Sequence, residues 1–185
     1  TIDTNDKLVK LVKKLSGEEV ISFDTETTGL NPIDAKLVGM SFAYSESQAF
    51  YVPVSGEYAS NNKVNADLFS QSGPDESKGL EVNFVIEKVK PLLESKKVAK
   101  TGQNLKYDYM VMKNYGVEIE NILFDTMIGS FVLNPEGRHN MDDLAEKWLN
   151  YKTIHIEELI NKGKNQISMG DVEISKISEY AAEDA

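Results

Sequence analysis

The sequence predicts an α/β domain in which an antiparallel meander of strands comes first and a mixed sheet is covered by helices. Three observations carry this expectation. An amphipathic helical pattern is followed by three extended segments separated by turn residues. The second half alternates short apolar segments with helical periodicity. No internal repeat or linker divides the chain. A chain of 185 residues with 41% apolar content suffices for one domain with its own core, so the expectation is a single domain over 1–185 on about five strands.

Leu8, Val9, Leu11, Val12 and Leu15 recur at helical spacing between possible caps at Thr4 and Asn5 and a stop at Gly17. Residues 20–24, 37–44 and 50–54 read as strands, separated by Gly29-Leu30-Asn31-Pro32 and by Ser45-Glu46-Ser47, which makes the meander. The stretch 55–79 is polar, rich in Ser, Asn and Gly and without sustained periodicity, and reads as a mobile loop or insertion. Beyond it the pattern predicts a helix around 84–93, a strand at 98–100, a helix over 104–115 stopped by Gly116, and a strand at 122–124. Helices follow over 126–133, 141–149, 156–161 and 174–182, with Arg138-His139-Asn140 in a loop.

No apolar run approaches the ~20 residues that span a bilayer, and the first residues carry neither a basic nor an apolar targeting region. The expectation is a cytoplasmic protein with no membrane contact. Without cysteine there are no disulfides or thiolate metal sites, so any metal must be held by carboxylates, His or water, which favours hard cations. The net charge of −10 argues against an extended basic footprint on duplex nucleic acid. It leaves room for an enzyme that grips a few nucleotides, because divalent ions between carboxylates and phosphate invert the local charge.

The chemistry-bearing residues fall in three places. In Asp24-Thr25-Glu26 the period of two points both carboxylates to one face, an arrangement tolerable at neutral pH only with positive charge between them; a solvated strand end is the plainer reading. Asp108 lies within a predicted helix where propensity gives it no reason to be, although a solvent-facing Asp would look the same. Tyr180 and Asp184 are four apart and share a helix face, as would a core tyrosine with an exposed acid behind it. Singly, none of the three decides.

Their order and wording together do. Phe23-Asp24-Thr25-Glu26-Thr27, Gly102-Gln103-Asn104-Leu105-Lys106-Tyr107-Asp108 and Tyr180-Ala181-Ala182-Glu183-Asp184-Ala185 are similar to the three motifs of the 3′-5′ exonuclease (proofreading) domain of the bacterial DNA polymerase I (family A) group. That group is part of the DEDDy branch of the DnaQ-like exonucleases. The resemblance covers nearly the whole chain, including Phe124-Asp125-Thr126-Met127, Gly137-Arg138-His139, Leu144-Ala145-Glu146 and Lys162-Gly163-Lys164-Asn165-Gln166. It implies an RNase H-like sheet and a phosphodiesterase using two Mg²⁺ ions, with Mn²⁺ or Zn²⁺ as substitutes. By the same resemblance Asp24 would bridge both ions, Glu26 and Asp184 would complete the site that activates water, and Asp108 would support the second ion. Tyr180 would orient the attacking water, since a phenol with a pKa near ~10 is a poor base.

The resemblance also implies nucleic-acid contacts at Leu30, an apolar wedge between the last two bases, and at Asn104, Tyr107, Arg138 and Ile156. Arg138 is the only arginine in the chain. The implied partner is the single-stranded or frayed 3′ end of DNA, with a polymerase domain following C-terminally and no obligate oligomer. A chain stopping one residue past Asp184 is then expected to be cut from a longer protein. Two departures stand out. Ile156 occupies a place where family members carry phenylalanine, which removes a stacking surface worth roughly 1–3 kcal/mol unless His155 substitutes. The 55–79 stretch is longer than in the family. RNase D-like and RecQ-helicase-associated exonucleases share the three motifs, but the wording between motifs favours the polymerase group. A degenerate relative would have lost acids that are all present here.

Overall fold

The computed structural model describes residues 1–56 and 79–185, so nearly all of the 55–79 stretch expected to form a loop lies outside the described residues. The chain opens with α1 (Asn5–Leu15), capped by the Thr4 side chain, which accepts from the Lys7 N–H. Three strands follow, β1 (Val20–Thr27), β2 (Leu37–Ser45) and β3 (Gln48–Ser55). After the undescribed stretch come β4 (Leu80–Glu81), α2 (Val82–Leu93), β5 (Ala99–Gly102), α3 (Leu105–Asn114) and β6 (Ile122–Asp125). Helices α4 (Thr126–Leu133), α5 (Met141–Leu149), α6 (Ile156–Ile160) and α7 (Ile174–Asp184) complete the chain. Among the described residues no helix is long and apolar enough to cross a membrane.

The six strands run in the order β4-β3-β2-β1-β5-β6. β1, β2 and β3 form the expected antiparallel meander, whereas β5 joins β1, β6 joins β5 and β4 joins β3 in parallel. The strand beyond the expected five is β4, whose two residues are too few to show a period. β1 also runs three residues further than its apolar pattern, because pairing with β2 continues through polar residues. Asp24 lies opposite Ser41 and Glu26 opposite Gly39. The acidic pair therefore sits within the hydrogen-bonded ladder and not at a solvated strand end.

Alternation along the strands divides the apolar residues between two cores. Ile21 and Phe23 of β1 pack with Leu8, Leu11 and Leu15 of α1, Val85, Val89 and Leu93 of α2, and Val111 and Met112 of α3. A smaller cluster joins Val38 and Tyr51 to Ile160, Met169, Ile177 and Ala181. Val52 and Val54 of β3 face the larger core and Tyr51 the smaller, so the two lie on opposite faces of the sheet and α7 packs opposite α1 to α3. Each fully buried aliphatic side chain in these clusters contributes roughly 1.5–3 kcal/mol. Gly39 makes the smaller core possible, because a Cβ there would stand 2.2 Å from the Tyr51 hydroxyl oxygen. The apolar α4 behaves differently, since it buries none of its residues.

Candidate active site

The period of β1 turns Asp24 and Glu26 toward the face covered by α7 and Thr25 toward the other. On α7, Tyr180 and Asp184 lie one turn apart and look back at the strand, while the fully buried Ala181 lets the helix approach closely. Asp24, Glu26 and Asp184 each present a carboxylate oxygen, and these oxygens all lie within 4.8 Å of one another. Glu26 is 5% exposed, and its buried Oε1 has no hydrogen-bond partner. Leaving a buried polar group unpaired costs about 1–3 kcal/mol, more for a charged one.

Every acid of the group is shifted toward its neutral form. Burial holds Asp24 well above the usual carboxylate range, and the charges of Asp108, Glu26 and Asp184 push it further. Glu26 is raised to about 8 by burial and then by Asp184 and Asp108. Burial raises Asp184 to about 7 against a hydrogen bond from the Tyr180 side chain, which lowers it. Tyr180 itself is raised above the ordinary phenol value, first by burial and then by the charges of Asp184 and Glu26. The phenol therefore stays a neutral donor. Mutually repelling carboxylates, Glu26 buried and Asp24 and Asp184 half-buried, with an unpaired oxygen among them, fit a hard divalent cation such as Mg²⁺ or Mn²⁺. Zn²⁺ suits a set without His or Cys less well.

Asp108 stands apart from the three mutually close acids. It is 2% exposed in the first turn of α3, and its Oδ1 accepts both the Thr25 N–H (2.9 Å) and the Thr25 hydroxyl (2.6 Å). Burial raises it to about 7, and the two Thr25 bonds work against that rise. Thr25, which the two-residue period sends away from the acidic face, thus holds the fourth carboxylate at the edge of the same site. Gly102 brings α3 there: a Cβ at this position would lie 2.7 Å from the Phe23 carbonyl oxygen, so only glycine lets β5 close on β1 this tightly.

The expected nucleic-acid contacts are scattered by comparison. Leu30 projects from the loop between β1 and β2 and is 92% exposed. The Tyr107 hydroxyl donates to the Gly29 carbonyl (2.5 Å) and lies 2.6 Å from Thr27 Oγ1, so it braces the Leu30 loop. Asn104 has a left-handed backbone and accepts a bond from Lys106 Nζ. Arg138 is exposed, with its guanidinium 3.9 Å from Asp143. Ile156 opens α6 and is exposed. Among the described residues, neither Arg138 nor Ile156 bonds to the four acids. His155 Nδ1 lies 2.9 Å from Asp142 Oδ2, so its ring is engaged on α5. Sequence reasoning missed Thr25 as the partner of Asp108. It also missed Glu183, which accepts the Ile154 N–H (2.9 Å) and a bond from the Tyr151 side chain. No local pattern marks either contact.

Comparison with known proteins points the same way. The model of the 3′-5′ exonuclease family matches residues 1–185. DNA polymerase I of Pseudomonas aeruginosa is 38% identical over 177 residues, covering 94% of this chain and 18% of that protein. DNA polymerase I of Rhizobium leguminosarum is 35% identical over 176 residues, covering 90% and 16%. The chain thus spans less than a fifth of the length of these relatives. Among solved structures, Escherichia coli RNase D superposes with a TM-score of 0.66 over 100% of this chain and 40% of its own, at 16% identity. The catalytic core of RRP6 from Trypanosoma brucei gives 0.63 over 100% and 42%, at 16% identity. At such identities these two likenesses speak for the fold alone.

Proposed function

The chain belongs to the 3′-5′ exonuclease family, in the form found in bacterial DNA polymerase I, and on that premise we propose that it removes mononucleotides from the single-stranded or frayed 3′ end of DNA. The observation that carries this reading is the convergence of Asp24, Glu26 and Asp184 within 4.8 Å, with Asp108 pinned beside them by Thr25. Asp24, Glu26 and Asp184 would hold one divalent cation, and Asp24 with Asp108 a second. Bound there, Mg²⁺ or Mn²⁺ would make water nucleophilic near neutral pH and relieve charge on the leaving 3′ oxygen.

The remaining work falls to the protein. Tyr180, kept neutral by burial, donates to Asp184 and positions the attacking water; with its pKa raised it does not act as the base. Leu30, unpacked on its loop and braced from behind by Tyr107, separates the terminal bases. Asn104, Tyr107, Arg138 and Ile156 line the path of the last nucleotides. As part of a longer cytoplasmic polymerase, the domain would act on 3′ ends frayed by misincorporation. The test is to incubate the chain with 3′-labelled single-stranded DNA and, separately, RNA, in Mg²⁺ or Mn²⁺ and then in chelator. Mononucleotide release from DNA that stops in chelator supports the reading. Activity that persists in chelator, starts at 5′ ends or is confined to RNA overturns it.

A further inference from the structure

A single carboxylate on the edge strand β6 terminates two helices. Asp125, 7% exposed, accepts the N–H groups of Met127 (2.9 Å) and Ile128 (3.2 Å), as a residue just ahead of a helix commonly does. It also accepts the N–H groups of Asn104 (3.1 Å) and Leu105 (2.8 Å), which open α3. These two bonds are of another kind, because they join an acid to a helix some twenty positions upstream. The residue that should cap α3, Asn104, makes no side-chain cap and sits at φ 61 in the left-handed region. The parallel register of β5 and β6, with Gly102 opposite Asp125, sets the carboxylate beside the turn where α3 begins.

We infer that Asp125 is a positioning residue for the candidate active site, capping α3 from a neighbouring strand so that Asp108 meets Thr25. Asp108 lies in the first turn of α3, the turn that frays when a helix loses its N-terminal partners. Asn104, relieved of capping its own helix, turns its side chain to Lys106. Both contributions of α3 therefore hang on a residue that need touch neither substrate nor metal.

The inference rests on the exonuclease reading only for its kinetic arm. Asp125→Ser keeps an oxygen suited to capping the adjoining α4 but is too short and singly armed to reach α3. Amide exchange in Asp125→Ser should quicken at Asn104 and Leu105 by at least about tenfold while Met127 and Ile128 stay protected. The half-saturating Mn²⁺ concentration, read by the spin resonance of bound Mn²⁺ well below the melting temperature, should rise several-fold. Where hydrolysis is measured, kcat should fall roughly 10- to 100-fold. Val89→Ala on α2, which loosens the larger core but takes no hydrogen-bond partner from the start of α3, should leave exchange at Asn104 and Leu105 and Mn²⁺ half-saturation unchanged. Unaltered exchange at Asn104 and Leu105, or an equal Mn²⁺ shift in Val89→Ala, would overturn the inference. An inactive wild-type chain would instead overturn the exonuclease reading, with exchange and Mn²⁺ binding still deciding the role of Asp125.

Discussion

Replacing Glu26 by Gln should make the metal-free protein more stable and the enzyme much slower. The side chain is buried, its Oε1 has no donor, and its carboxyl titrates at about 8 against an ordinary 4.5. Between those two values the folded chain holds a proton that the unfolded chain has released, so unfolding is progressively favoured as pH rises. The stability associated with Glu26 is therefore fully present below about 4.5, declines through neutrality and levels off above about 8. At about 1.4 kcal/mol per tenfold change, the whole penalty is on the order of 5 kcal/mol. A buried glutamine amide without partners returns about 1–3 kcal/mol of it, and Asp24, Asp108 and Asp184 share the repulsion that remains. A net gain of about 1–3 kcal/mol above pH ~8 corresponds to a rise in Tm of roughly 2–10 °C for a chain of this size. Thermal unfolding in chelator should show little difference from wild type near pH ~5 and a clear gain near pH ~8.5. Saturating Mn²⁺ should reverse the order, because only the wild type carries the full ligand charge. Hydrolysis by the variant should fall about 100-fold or more. A variant less stable than wild type in chelator at pH ~8.5, or one whose advantage does not grow with pH, would refute the idea that these carboxylates are in conflict.

The other expectations separate roles within the same site. Asp24→Ala should be the most damaging single change, since it faces both proposed cations. Tyr180→Phe should be the mildest, at about 10- to 10³-fold, because it removes one hydroxyl and no charge. Single-turnover hydrolysis at saturating Mg²⁺ ranks them, and equal loss in both would make the tyrosine a base or a ligand. Leu30→Ala should leave Tm unchanged, the side chain being unpacked. It should slow hydrolysis of paired ends more than of single strands, and equal slowing would remove the wedge role.

What could be read from the sequence was whatever depends on a local period. The alternation in β1 placed Asp24 and Glu26 on one face, the four-residue spacing placed Tyr180 with Asp184, and the meander and most helix positions followed from apolar spacing and stop residues. What could not be read depends on pairs distant in the chain. Thr25 and Asp108 are 83 residues apart, and nothing near either predicts that the threonine hydroxyl secures the acid. Asp125 lies some twenty positions from the start of α3, and nothing near it predicts that it caps that helix. Lys100 would be placed on the surface by its charge, yet it is fully buried, with Nζ donating to the Ser95 (2.6 Å) and Val98 (2.9 Å) carbonyls. An apolar run such as that of α4 would be placed in a core by composition alone, whereas Phe131, Val132 and Leu133 are exposed. Arg138 drew notice for being alone of its kind, and its only described partner, Asp143, five positions along the chain, carries no signal in the local pattern.

The division of the protein into two cores bears on how the site is kept together. Asp24 and Glu26 ride on a strand rooted in the larger core, while Tyr180 and Asp184 ride on a helix rooted in the smaller one, which rests on Val38, Tyr51, Ile160, Met169, Ile177 and Ala181. The seam between the two cores thus runs through the acidic cluster, and α7, held by the smaller one, would be expected to open at the lower free energy. Departure of α7 would relieve the repulsion among the carboxylates, so in the absence of cations the site works against its own closure. A cation gripping both halves would reverse that sign and act as a rivet across the seam. Helix docking and ion occupancy would then form a single linked equilibrium, in which anything that loosens Ile177 or Ala181 from the sheet should weaken ion binding by the same free energy that ion binding lends to the helix.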